Sequence, residues 1–149
     1  MKKFHFRLEQ VLQQKIKQEE QALLEQAKAQ EEYSRCEKEL AATRDKLEES
    51  YQTAQLGLRP EDQLYMLMFR DSLRELRERQ MRNLQRANEI LQNRIKISMK
   101  ARQERKIFEK LKEKQLMEYR ELQLFLEQKE IDELATMSYA RGTHQSGVF

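Results

Sequence analysis

Proline and glycine are nearly missing from this chain, which has one Pro and three Gly among 149 residues. Residues 61–138 contain neither, and residues 1–56 are equally clean. Inside a helix Pro costs about 3 kcal/mol and Gly about 1 kcal/mol relative to Ala, so runs this long without them predict two long helices. The one breaker cluster before the C-terminal end is Gly57-Leu58-Arg59-Pro60-Glu61-Asp62. Tryptophan is absent, and Cys36 is the single cysteine, which excludes an internal disulfide and is compatible with a reducing compartment. With three glycines no phosphate-cradling loop can be built. His5 and His144 stand at opposite ends with no ligand spacing around them, so no metal site and no cofactor is expected. No segment approaches the roughly 20 apolar residues of a membrane span. The basic start Met1-Lys2-Lys3 is not followed by the apolar stretch of an export signal, so the expectation is a soluble, cytoplasmic chain.

What is present is charge and helical periodicity. Charged residues make up 37% of the chain and the mean hydropathy is −0.99, too polar to fill a thick globular core. A hairpin of two helices needs only a narrow apolar stripe. The expected fold is therefore all-α: an antiparallel coiled-coil hairpin with helix one over about 4–56, a turn at 57–62, helix two over about 61–138 and a flexible tail at 140–149. Residues 1–139 would form one such unit.

Coiled-coil seams repeat in alternating steps of three and four. On the first helix Ala22, Gln26, Ala29, Tyr33, Cys36, Leu40, Thr43, Leu47, Ser50 and Ala54 keep that step, and Leu8, Leu12, Ile16 and Leu23 continue the stripe toward the N-terminus. On the second, Phe69, Leu73, Leu76, Gln80, Asn83, Ala87, Ile90, Arg94, Ile97, Ala101, Glu104, Phe108 and Leu111 keep it. Small residues such as Ala22, Ala29, Cys36 and Ala87 would let the helices approach closely. Pairing outward from the turn sets Leu8 near Lys110 and leaves the rest of helix two without a partner. Apolar side chains nevertheless continue there: Leu116, Leu122, Leu124, Phe125, Leu126, Ile131 and Leu134. A free helix in water should be polar all round. Either Phe4 and Phe6 fold back over this overhang, or two molecules pair there, or a partner protein encloses it. A second excess of apolar side chains lies next to the turn, at Leu56, Leu58, Leu64, Tyr65, Met66, Leu67, Met68 and Phe69. These either cap the hairpin end or face a partner.

Charge is unevenly spread. Residues 70–106 hold twelve Lys/Arg against five Asp/Glu, whereas residues 107–134 hold five against eight. The first suggests nucleic acid. Residues 31–49, however, carry seven acidic and four basic groups. An antiparallel fold lays them beside the basic block, so much of the basic excess is expected to face an acidic partner helix. No nucleic acid and no small-molecule substrate is expected. Paired carboxylates such as Glu19-Glu20 and Glu48-Glu49 suit a solvated helix face, and two helices offer no desolvated cleft to perturb them. No catalysis is expected.

The opening Phe4-His5-Phe6-Arg7-Leu8-Glu9-Gln10-Val11-Leu12 resembles the F-x-F-x-L-x-x-V-L start of the FliJ family of bacterial flagellar export proteins. The single turn, the longer second helix and Lys129-Glu130-Ile131-Asp132-Glu133-Leu134-Ala135 are similar to that family as well. The resemblance implies a stalk-like component of the flagellar type III export apparatus, peripherally associated with the inner face of the cell membrane. Its implied partners are the hexameric export ATPase, the membrane export gate and export chaperones. Carried over by position, the ATPase-facing residues would be Leu8, Val11, Leu12, Lys15, Ile16, Ile131, Asp132, Glu133 and Leu134. The gate-facing residues would be Leu40, Tyr51, Phe69, Leu73 and Leu76, of which Phe69, Leu73 and Leu76 also belong to the expected seam. The competing expectations are a generic coiled-coil adaptor and a nucleic-acid-binding coiled coil that uses the basic segment 70–106.

Overall fold

The computed structural model describes residues 3–53 and 59–146, with side chains as far as His144. Two helices account for nearly all of them: α1 over Glu9–Thr53 and α2 over Pro60–Ser146. Together they form the all-α helical hairpin expected. Ala54, Leu56, Gly57 and Leu58 lie outside the described residues, as do Gly147, Val148 and Phe149.

Each helix start has a local cause. Before α1, residues 3–6 are non-helical and residues 7–8 turn, with the Glu9 amide donating to the Phe6 carbonyl at 3.1 Å. Helix one therefore begins at Glu9 rather than near residue 4, because Phe6 is drawn into the packing, where it is 3% exposed. Pro60 occupies the first position of α2, where its missing N–H costs nothing. Glu61 and Asp62 follow in the first turn, where negative charge favours the helix dipole. At the far end α2 continues to Ser146, past the expected stop at 138. Gly142 is a single helix-weakening residue, and the Thr143 hydroxyl returns to the Tyr139 and Ala140 carbonyls at 3.2 and 2.9 Å.

Packing divides the chain into two units. One comprises Lys15–Gln103; the other joins the segment ending at Gln14 to α2 from Glu104 onward. In the first unit the α1 seam is the expected one: Ala22, Ala29, Cys36, Leu40, Thr43, Leu47 and Ser50 are all buried, and Gln26 and Tyr33 are half-buried. The polar members meet their needs locally. Thr43 Oγ1 donates to the Glu39 carbonyl at 3.1 Å and Ser50 Oγ to the Leu47 carbonyl at 2.5 Å.

The α2 seam differs from expectation at four positions, whereas Leu76 is half-buried as expected. Leu73 and Ala87 are buried and Gln80 and Arg94 half-buried, as expected, but Leu91 and Ser98 are buried where Ile90 and Ile97 were expected. Leu84 likewise replaces Asn83, and Phe69 is 48% exposed while Arg70 turns inward. Two three–four alternations share Leu73, Gln80, Ala87 and Arg94, and the expected one is the more apolar. Polar contacts to α1 accompany the one observed. Ser98 Oγ lies 2.5 Å from Gln26 Oε1, and Arg70 donates to the Ser50 carbonyl at 2.8 Å. Apolar periodicity does not register such bonds.

The distribution of the basic excess also departs from expectation. Arg94 and Arg102 approach Glu25 and Glu19 at 3.9 and 4.0 Å. Arg79, Arg82, Arg86, Lys96 and Lys100 are exposed instead. They occupy the heptad positions of α2 that point away from α1.

Candidate partner-binding surfaces

Around the start of α1, the second unit builds a small closed contact followed by an open one. Glu9, in the first turn of α1, receives Lys112 Nζ at 2.8 Å and Gln13 Nε2 at 3.1 Å. The bonds from Lys112 and Gln13 hold the Glu9 carboxyl below the usual range. The Phe4 ring packs against Tyr119 with centroids 5.5 Å apart. Beyond it an open groove is lined by Lys3, Phe4, Tyr119, Arg120, Gln123, Leu124 and Glu127. Phe4 and Phe6 thus fold back as one of the expectations held, but their cover ends there.

From Leu122 onward the large apolar side chains of α2 face solvent. Leu122 is 53% exposed, Leu124 66%, Phe125 65%, Ile131 59% and Leu134 63%. Met137 and Tyr139 are exposed as well. Successive residues turn by about 100° along an α-helix. Phe125 and Leu126 therefore leave α2 on different sides from Leu124, Ile131 and Leu134. No single stripe gathers them.

The residues carried over for ATPase contact are distributed unevenly. Leu12 is buried, at 4% exposure, and Leu8, Val11, Lys15 and Ile16 are half-buried. Ile131, Asp132, Glu133 and Leu134 are exposed on α2. There the Asp132 carboxylate accepts from Gln128 at 3.0 Å and its carbonyl from Thr136 at 2.7 Å. Among the residues carried over for the gate, Leu40 and Leu73 are buried in the seam at 4% and 6% exposure, and Leu76 is half-buried. A partner could reach Leu40 or Leu73 only if the helices parted. Tyr51 and Phe69 are exposed.

Tyr51 stands in an arrangement that periodicity did not reveal. The Arg70 guanidinium lies 4.5 Å from its ring centroid and that of Arg74 5.9 Å, and Arg74 donates to the phenol oxygen. Two arginines thus fix one exposed aromatic ring from α2. The only sequence signal was an arginine pair four residues apart. The neighbouring open groove is lined by Lys46, Glu49, Ser50, Thr53, Asp62, Tyr65, Met66 and Phe69. Leu64, Tyr65, Leu67 and Met68 are exposed beside it, so the apolar excess near the turn is not used up in capping the helices.

Among the described residues no group of three or more metal-ligating side chains occurs, and no helix is long and apolar enough to cross a membrane. Burial first, then the Glu32 carboxylate, raises the pKa of the Cys36 thiol, so it remains protonated at neutral pH.

Comparison with known proteins is consistent with this picture. Neither a curated protein nor a solved structure matches the chain significantly. The family model described as "Flagellar FliJ protein" matches residues 4–144, from Phe4 through the exposed end of α2. With nearly its whole length covered, the chain belongs to the FliJ family and is a component of the flagellar export apparatus.

Proposed function

We propose that this chain acts as a non-enzymatic stalk that binds the hexameric ATPase of flagellar export and promotes its assembly or activity. The observation that carries the reading is the end of α2, where large apolar side chains leave the helix in many directions and stay in water. A single partner helix would cover one stripe of them. A sleeve formed by a ring of subunits would cover all of them, and burial is worth about 25 cal/mol per Å² of apolar surface removed from water. Leu8, Val11, Leu12, Lys15 and Ile16 would support the entry of the stalk, with Ile131, Asp132, Glu133 and Leu134 within the ring. Ring state would be passed on through contacts that differ between nucleotide states. The end near the turn would face the membrane export gate, through Tyr51, Phe69 and Leu76 with Leu40 and Leu73 beneath them. Export chaperones would be escorted by the same protein, which would be held at the inner face of the membrane by the gate rather than by lipid.

The test is co-sedimentation with the cognate export ATPase, together with its ATP hydrolysis rate, for the natural chain and for Leu124→Asp/Ile131→Asp. The reading expects binding and stimulation by the natural chain and loss of both in the double variant. Binding unchanged by the double substitution would remove the end of α2 from the interface. No binding by either protein would defeat the proposal.

A further inference from the structure

The unit formed by Lys15–Gln103 leaves one surface of α2 with no role in the hairpin and none in the ring contact. Between residues 79 and 103, α2 carries seven basic residues and a single acidic one, Glu89. Of the seven, Arg94 and Arg102 approach α1 carboxylates, and Arg79, Arg82, Arg86, Lys96 and Lys100 are exposed. Beside this row Ile90 and Ile97 are 53% and 44% exposed, one heptad apart. Arg86 lies four residues before Ile90 and Lys100 three after Ile97, so each cation adjoins an isoleucine on the helix surface. Burying Leu91 and Ser98 in the seam is what turned this pair outward.

We propose that Ile90 and Ile97, with Arg86, Lys96 and Lys100 along their outer side, dock one amphipathic helix of another protein, one that carries carboxylates along one flank. The surface is shaped for such an occupant. The isoleucines lie to one side of α2, toward α1, and the cations occupy the outermost positions, so whatever touches both must be narrow and convex. Their seven-residue interval is the repeat of a helix packed along α2. A flat bilayer would meet the cations and leave the isoleucines uncovered, since an interfacial helix presents its apolar face outermost. A nucleic acid would neutralise the cations and gain nothing from the isoleucines, and residues 79–100 contain no aromatic side chain on which a base could stack. The α1 carboxylates in this unit are partly compensated already. Glu25 has Arg94, while Glu32 and Glu39 share Arg35. The net attraction of the surface is for negative charge.

The test is fluorescence anisotropy with the full chain and three labelled probes. They are a heptad-patterned helical peptide with leucines on one face and glutamates on one flank, the same peptide with lysines for glutamates, and a short DNA duplex. The proposal expects the acidic peptide to bind about tenfold or more tightly than the basic one, with an affinity that falls as salt rises. Arg86→Glu/Lys100→Glu should reverse that preference, and Ile90→Asn/Ile97→Asn should weaken both peptides about tenfold with the helical circular dichroism unchanged. Equal binding of the two peptides, no binding of either, or preference for the duplex would overturn it. So would dimerisation of the natural chain, seen by light scattering and abolished by Ile90→Asn/Ile97→Asn, because the surface would then belong to a second copy. None of these outcomes bears on the ATPase contact, which uses the end of α2.

Discussion

In Lys15–Gln103 a helix sequence of high charge closes onto a partner, while in residues 121–144 a helix sequence richer in large apolar side chains closes onto nothing. The first unit buries mainly small or single-leucine positions, with Leu40, Leu73 and Leu91 at 4%, 6% and 5% exposure. The second leaves Leu124, Phe125 and Leu134 more than three-fifths exposed. Apolar content therefore does not decide what is buried here; the angular arrangement does. A stripe repeating by threes and fours finds a partner within the chain, whereas apolar groups scattered around the helix cannot be covered by one neighbouring helix. The stability of the hairpin should reside in the buried seam of the first region, and the proposed ring contact in the second.

The sharpest way to break that contrast is to truncate one leucine in each region. Leu40→Ala removes a buried seam side chain and should cost about 2–4 kcal/mol in a urea or thermal melt. Leu124→Ala should stay within about 0.5 kcal/mol of the natural chain, because the side chain is already in water. A comparable loss from both would mean that the end of α2 is packed in solution.

Next in size is the polar lock that accompanies the α2 register. Ser98→Ala leaves Gln26 without its partner and should cost about 1 kcal/mol, and Ser98→Ile tests the register itself. If apolar pattern alone set the seam, placing Ile at 98 would be neutral or stabilising. If Gln26 and the narrow approach beside Ala22 and Ala29 set it, the larger side chain should overpack and cost about 1–3 kcal/mol. Double-mutant cycles with Gln26→Ala would separate the two.

These positions also show where the sequence was legible. The α1 seam could be read directly, because Ala22 through Ser50 offer one three–four alternation of small and apolar residues. The hairpin followed from where Pro and Gly are missing, and the family from its opening motif. The α2 seam was ambiguous, because two alternations run through Leu73, Gln80, Ala87 and Arg94. The observed one is marked by Ser98 reaching Gln26 and Arg70 reaching the Ser50 carbonyl, which are pairings between residues 72 and 20 apart in the chain. The clamp of Arg70 and Arg74 on Tyr51 was hidden for the same reason. The exposed end of α2 was visible as surplus apolar residues, but periodicity could not say how far Phe4 and Phe6 would cover them.

Cys36 offers a gentler probe of the same contrast. Its thiol is buried in the seam at 6% exposure and its pKa is raised, first by burial and then by the Glu32 carboxylate. Labelling by a thiol reagent should therefore be slow in the native protein and accelerate in step with urea unfolding. A cysteine placed at Leu124 in a Cys36→Ser background should label at the rate of an unfolded peptide. Fast labelling of Cys36 would show the hairpin opening far more readily than its seam suggests.

The smallest expected effect lies at the start of α1, where Glu9 meets Lys112 and Gln13. The bonds from these two residues hold the Glu9 carboxyl below its ordinary value. A depressed carboxyl contributes its stability above the unfolded value of about 4.3, and that contribution is lost as pH falls through the folded value. Acidification should therefore loosen the contact of the N-terminal segment with α2 in a window beginning near pH 4 and extending below it. Both partners are 38% exposed, so solvent screens the pair and the change should be slight. Glu9→Gln should flatten this part of the acid titration, followed through fluorescence of Tyr119 beside Phe4. If the titration were unchanged by Glu9→Gln, the acid sensitivity of the segment would have to come from other carboxylates. In that case Phe4 and Phe6 would hold the segment by apolar packing alone, without help from the ion pair.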